Sequence, residues 1–137
     1  LECLFVRVDG TTPMADVLAR GLDLVMTFLT PPGLRVIVRT EGGVVLAQLE
    51  AGTEAGGWEP RPGPGVLAAV GDVAELQVPF RCLLTGTPGR IGFIVALYRD
   101  GVEIERQPTR RSIEIEAPDL GVAHQKPDQP PRPGYLA

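Results

Sequence analysis

The sequence predicts an all-β protein, an antiparallel β-sandwich of about eight or nine strands with one short helix. Three observations carry that reading. Short runs alternate apolar and polar residues with a period of two, as in Ala74-Glu-Leu-Gln-Val78 and Ile113-Glu-Ile-Glu116. Gly, Pro and Asp punctuate these runs at hairpin spacing; the 137 residues include 17 Gly and 14 Pro. Finally, Ile91 to Tyr98 is almost wholly apolar and strongly β-prone, the pattern of a strand covered on both faces.

The elements follow in order. Leu1 to Asp9 forms a first strand, with Leu4, Val6 and Val8 on one face and Cys3, Phe5, Arg7 and Asp9 on the other. Thr12 to Arg20 forms two helical turns, with Thr12 as N-cap, Pro13 at the first helical position and Gly21 past the end. Leu22 to Leu29 is a strand stopped by Pro31-Pro32-Gly33. Leu34 to Thr40 follows, with Leu34, Val36 and Val38 opposed to Arg35, Ile37 and Arg39. Gly42-Gly43 turns the chain into Val44 to Glu50, so these three strands make an antiparallel meander.

Ala51 to Pro64 is too rich in Gly and Pro for a regular element and is expected to be loop. Val66 to Val70 is a short strand before a Gly71-Asp72 turn. The strand from Val73 must stop or reach an edge at Pro79, which has no N–H to give a ladder. Phe80 to Leu84 is an apolar plug, and Thr85 to Gly89 a loop. Asp100-Gly101 after Tyr98 is the strongest hairpin signal in the chain and returns it through Val102 to Glu105. Ser112 to Ala117 adds a last strand. These elements make one domain over residues 1–120, and the Pro-rich stretch 121–137 is expected to be an extended, weakly ordered tail. The chain opens at Leu1 directly in strand-like sequence, which reads as a piece of a longer protein.

Composition narrows the function. The formal charge is −4 and the pI about 5.0, and the basic residues are scattered, so no nucleic-acid partner is expected. The longest apolar runs are too short to cross a membrane. Cys3 and Cys82 are far apart, without metal-ligand spacing, among apolar neighbours. Buried thiols in a reducing, cytoplasmic setting are the favoured reading; a disulfide stays open if the first strand pairs beside the plug.

Catalytic chemistry has little to stand on. His124 is the only histidine and lies in the tail, so neither a catalytic triad nor a multi-histidine metal site is expected. The Gly-rich stretch from Ala51 to Gly57 lacks the strand-to-helix context and the Lys of a phosphate loop. Met14 and Met26 fall on apolar faces and read as core filling rather than haem ligands, so no cofactor is expected. Glu103 with Glu105, and Glu114 with Glu116, could offer paired carboxylates. Their alternation with Ile residues reads instead as the solvated face of sandwich strands.

Trp58 is the candidate ligand platform. It is the only Trp and is flanked by Glu59 and Arg61, so a sugar ring could stack on the indole while the charged neighbours bond its hydroxyls. The other reading folds Trp58 back over the sandwich edge, its indole N–H on a backbone carbonyl. Tyr98 is expected to close the buried strand.

Three stretches carry a family resemblance: LFVRVDG (4–10), LDLVMTFLTPPGLRVIVR (22–39), and above all LQVPFRCLLTGTPGRIGFIVALYRDGVEIERQPTRRSIEIEAPD (76–119). Together they resemble the C-terminal β-sandwich of glycoside hydrolase family 57, enzymes of the α-amylase and amylopullulanase kind that act on α-glucans. The plug-and-strand pattern is also similar to the wider DOMON and carbohydrate-module sandwiches. The resemblance implies a parent enzyme whose catalytic Glu and Asp sit in a separate N-terminal distorted barrel. No residue of this chain matches that catalytic motif.

The expectation is therefore a non-catalytic accessory domain of an α-glucan-acting hydrolase. Its partner would be the catalytic domain of the same parent chain, with α-glucan as a candidate contact through Trp58, Glu59 and Arg61. An independent carbohydrate-binding module and a ligand-free structural interaction domain are the alternatives.

Overall fold

Period-two alternation resolves into two stacked sheets. In the computed structural model the described residues are 3–62, 65–83, 89–107, 112–116 and 134–136. In chain order they form β1 (Cys3–Val8), α1 (Met14–Ala19), β2 (Asp23–Thr30), β3 (Pro32–Glu41), β4 (Val44–Gly52), β5 (Trp58–Pro60) and β6 (Leu67–Val70). Then come β7 (Ala74–Pro79), a 3-10 turn (Phe80–Cys82), β8 (Arg90–Arg99), β9 (Val102–Gln107), β10 (Ile113–Glu116) and β11 (Gly134–Leu136). The four-stranded sheet runs β11-β1-β7-β6. The seven-stranded sheet runs β10-β8-β2-β3-β4-β5, with β9 also on β8. β10 pairs with the first half of β8 and β9 with the second, so the two share one edge.

The expected all-β sandwich is thus the observed fold, with eleven strands among the described residues. The meander β2-β3-β4 forms as the sequence predicts. Its register is set by the Gly42-Gly43 turn: both residues have positive φ, at 56° and 80°, the backbone hand that a two-residue hairpin needs. Residues equidistant from that turn pair, which places Arg35 opposite Glu50 and Val36 opposite Leu49. The Asp100-Gly101 hairpin, with φ of 51° and 79°, follows the same rule for Arg99 opposite Val102 and Tyr98 opposite Glu103, after which a bulge between Leu97 and Tyr98 shifts the register.

The core lies between the sheets. Leu4, Val6, Leu76 and Val78 of the smaller sheet meet Leu24, Met26, Phe28, Val36, Val38, Ile91, Phe93 and Val95 of the larger. Phe28 and Phe93 sit at its centre, their ring centroids 6.1 Å apart and their planes tilted by 56°, within the contact range of interacting aromatic pairs. Phe80 and Leu83 plug one end, as predicted, while position 84 lies outside the described residues. β8 is covered on both faces: Ile91, Phe93 and Val95 face the smaller sheet, and Ile94 and Ala96, on the opposite side, are buried too.

Four expectations need correction. First, Thr12 does not cap the helix. Pro13 takes the N-cap position, its carbonyl accepting from the amides of Asp16 and Val17, and the amides of Met14 and Ala15 donate to the carbonyls of Asp72 and Gly71. The β6–β7 turn therefore satisfies amides that a side-chain cap would otherwise take. Second, the predicted loop from Ala51 to Pro64 is interrupted: β4 continues to Gly52, and Trp58–Pro60 folds back onto it as β5. A Thr53–Gly57 turn makes this reversal, closed by Thr53 N to Gly57 O at 2.9 Å and Gly57 N to Thr53 Oγ1 at 3.0 Å. Third, β3 starts at Pro32 rather than at Leu34: β2 stops at Thr30 as expected, but Pro31 alone separates the two strands.

Fourth, the sandwich is not purely antiparallel, since β11 pairs parallel to β1 from Val6 to Val8. Of the predicted tail 121–137, only 134–136 are described residues, so His124 and the rest of the prediction lie outside them. β1 does pair beside the plug, Cys3 opposite Pro79; Cys3 is a buried thiol and Cys82 a half-buried one, with no disulfide between them.

Candidate functional site: the outer face of the seven-stranded sheet

Alternation sends every second residue of β2, β3, β4 and β8 away from the core. One row across the outer face reads Ile94, Thr27, Arg35, Glu50 and Pro60. The adjacent row reads Ala96, Val25, Ile37 and Gln48. Val25 is only 1% exposed and Ile37 only 6%, although no second layer covers them among the described residues. The long side chains around them supply the cover. Arginine stems lie over apolar surface while their guanidiniums stay near water.

Trp58 is the anchor of this face. β5 pairs with β4 through Gly52 opposite Trp58 and Glu50 opposite Pro60. The Arg35 guanidinium carbon lies 4.5 Å from the indole centroid, a cation–π stack. Arg35 Nε donates to Glu50 Oε1 at 2.7 Å, and Gln48 Nε2 donates to Glu50 Oε2 at 2.9 Å. Glu50 is the one buried charged residue among the described residues, at 8% exposure, and the short bond to Arg35 with the amide of Gln48 compensates that burial. Trp58 itself remains 37% exposed. The indole is held by a fixed cation while part of its surface stays open to solvent.

Beside this node, Asp23, Val25, Arg35, Ile37, Arg39, Tyr98 and Gly101 line a shallow recess of about 170 Å³. Arg39 is loosely held there: its Nη2 lies 3.4 Å from Asp23 Oδ2 and its Nη1 3.9 Å from Glu41 Oε1, and its buried Nε has no hydrogen-bond partner among the described residues. A buried donor without a partner is costly to fold and is satisfied when an acceptor arrives. The recess thus combines an apolar floor with guanidinium donors and one carboxylate acceptor, chemistry suited to a hydroxyl-rich ligand.

The three residues the sequence singled out are not brought together. Trp58 joins the outer face, whereas Glu59 and Arg61 alternate to the other side of the strand direction, where Arg61 N extends the ladder onto Leu49 O at 2.9 Å. Arg61 lies instead near Cys82, whose thiol is pushed up by burial against the opposing influence of Arg61 and Arg81. The partners that Trp58 does acquire are Arg35, Glu50 and Gln48. Two signals could have found them: Arg35 and Arg39 share a predicted outward face, and the Gly42-Gly43 register sets Glu50 against Arg35.

No known relative speaks to this site. No family model, no curated protein and no solved structure matches the chain. Of the paired carboxylates the sequence offered, one in each pair is engaged on the surface: Glu103 takes a bidentate bond from Arg106, at 2.9 and 2.8 Å, and Glu114 faces Arg90 at 3.3 Å. The hydrogen bond from Arg106 holds the Glu103 carboxyl below its ordinary range. Among the described residues no cluster of His, Cys, Asp and Glu could hold a metal ion, and no helix is long and apolar enough to cross a membrane.

Proposed function

We propose that the chain is a non-catalytic β-sandwich accessory domain of an α-glucan-acting glycoside hydrolase, and that the outer face of its seven-stranded sheet is the working surface. The observation that supports this reading is the Trp58 indole, partly open and held in place by an Arg35 that Glu50 fixes in turn. A rigid aromatic beside a recess of guanidinium and carboxylate groups is suited to stack a pyranose ring and bond its hydroxyls. In this reading Trp58 works with Arg35 and Arg39, and Glu59 and Arg61 lie off the contact.

The same face supports the docking role as well. Val44 and Leu46 leave 58% and 42% of their surface exposed on β4, on the side that carries Gln48 and Glu50. The catalytic domain of the parent chain would rest on this end, leaving Trp58 at the margin where glucan passes.

The test is titration of the 137-residue chain with maltoheptaose, with a cello-oligosaccharide as control, following Trp58 emission. A saturable change with the α-glucan, lost in Trp58→Ala at an unchanged thermal midpoint, is expected. A Trp58→Ala variant that is destabilised, with no glucan response in the wild type, would reduce Trp58 to a structural lid.

A further inference from the structure

We propose a second ligand site, independent of the outer face: a cavity between the two sheets that takes a small amine with an apolar body. The cavity measures about 160 Å³ and opens where the loop after β1 and the helix α1 meet the edge of β8 and β9. Its floor is apolar, made by Met14 and Val17 of α1, Leu24 of β2, and Val95 and Leu97 of β8. Three of these, Met14, Leu24 and Val95, are buried members of the hydrophobic core, so the floor of the cavity is a wall of that core. A cavity of about 150 Å³ with apolar walls holds one benzene ring, which sets the size of the ligand body.

The mouth sets its charge. Asp9, in the loop after β1, and Glu105, on β9, reach the opening from opposite sheets. Neither forms an ion pair among the described residues. Arg106 also borders the opening, but its Nε and Nη2 both donate to Glu103. The net charge offered to an entering molecule is therefore negative, and Thr11 and Thr12 add hydroxyl acceptors at the rim. An anion would meet two uncompensated carboxylates, and a neutral polyol would leave the apolar floor unfilled. A ring or short branched chain bearing one ammonium group satisfies both parts of the cavity.

The experiment is an amide chemical-shift titration of the whole chain with benzylammonium, benzyl alcohol and benzoate, which share a ring and differ in charge. Benzylammonium is expected to bind most tightly and benzoate least, with shifts centred on the amides of Val17, Leu97 and Gln107. Val17→Phe, which fills the cavity from the helix, should abolish saturable binding. Asp9→Asn with Glu105→Gln, both at exposed positions, should weaken benzylammonium about two- to tenfold, the range of two screened surface charges, and leave benzyl alcohol unchanged. Equal or tighter binding of benzoate, retained affinity in a folded Val17→Phe variant, or an unchanged benzylammonium affinity in the double variant would each overturn the proposal. Should Val17→Phe fail to fold, the double variant and the ligand series still decide it. Loss of glucan binding in Trp58→Ala has no bearing on this cavity, so the two readings fail separately.

Discussion

Replacing Arg35 by Met tests whether the outer face is organised around one buried ion pair. Arg35→Met keeps most of the stem but removes both the bond to Glu50 and the cation over Trp58. Exposed ion pairs are worth about 0–1 kcal/mol, and breaking a fully buried pair costs about 3–5 kcal/mol. With side-chain exposures of 20% for Arg35 and 11% for Glu50, and with Gln48 still bound to Glu50, the loss falls between those limits. Adding about 0.5–1 kcal/mol for the lost cation–π stack gives about 2–3 kcal/mol. For a domain of this length that corresponds to a fall in Tm of roughly 6–12 °C.

Urea unfolding, followed by circular dichroism and by Trp58 emission, measures the loss. A double-mutant cycle with Glu50→Gln isolates the pair and should return a coupling of about 1–2 kcal/mol. An Arg35→Met variant within about 0.5 kcal/mol of wild type, with additive single changes, would refute the claim that this pair organises the face.

Phe93 stands at the centre of the core against Phe28, fully buried. Phe93→Ala is expected to cost about 3–5 kcal/mol by chemical denaturation, because the rigid sheets collapse only partly into the void. Gly101 holds a φ of 79° in the β8–β9 hairpin, so Gly101→Ala should cost about 1–2 kcal/mol, measured the same way. The Glu103 carboxyl titrates below its ordinary range because Arg106 hydrogen-bonds it. A lowered folded-state pKa gives stability that is present above the unfolded value and lost as pH falls through the folded one. The stability difference between wild type and Glu103→Gln should therefore shrink on acidification through the carboxylate range and be constant from pH 6 to 8, as read by Tm against pH.

Much of the architecture was written locally. Alternation identified the core faces of β1, β2, β3, β7 and β10, and the apolar run of β8 marked it as covered on both sides. The Gly42-Gly43 and Asp100-Gly101 pairs, with positive φ at every position, marked the two hairpins. In the second a bulge at Leu97/Tyr98 shifts the count. The first also set its strand register throughout, so the Arg35–Glu50 pairing follows from counting outward from a turn. That is possible because a two-residue hairpin leaves no freedom in which residues face each other.

Other features depended on distant segments. The Thr12 cap was locally sound but lost to the carbonyls of Gly71 and Asp72, supplied by a turn far along the chain. The stretch from Ala51 to Pro64 has loop composition, yet Trp58–Pro60 becomes a strand because β4 offers an unpaired edge beside it. The parallel pairing of β11 with β1 likewise joins opposite ends of the sequence.

The candidate site shows the same division. Sequence alone determined that Trp58 is the sole indole and that Arg35 and Arg39 share an outward face, since composition and strand period are local properties. Only the tertiary structure decided that Trp58 lies over Arg35 rather than beside Glu59 and Arg61. Neighbours in a strand point to opposite sides, so the partners of a side chain come from the adjacent strand and not from the adjacent residue.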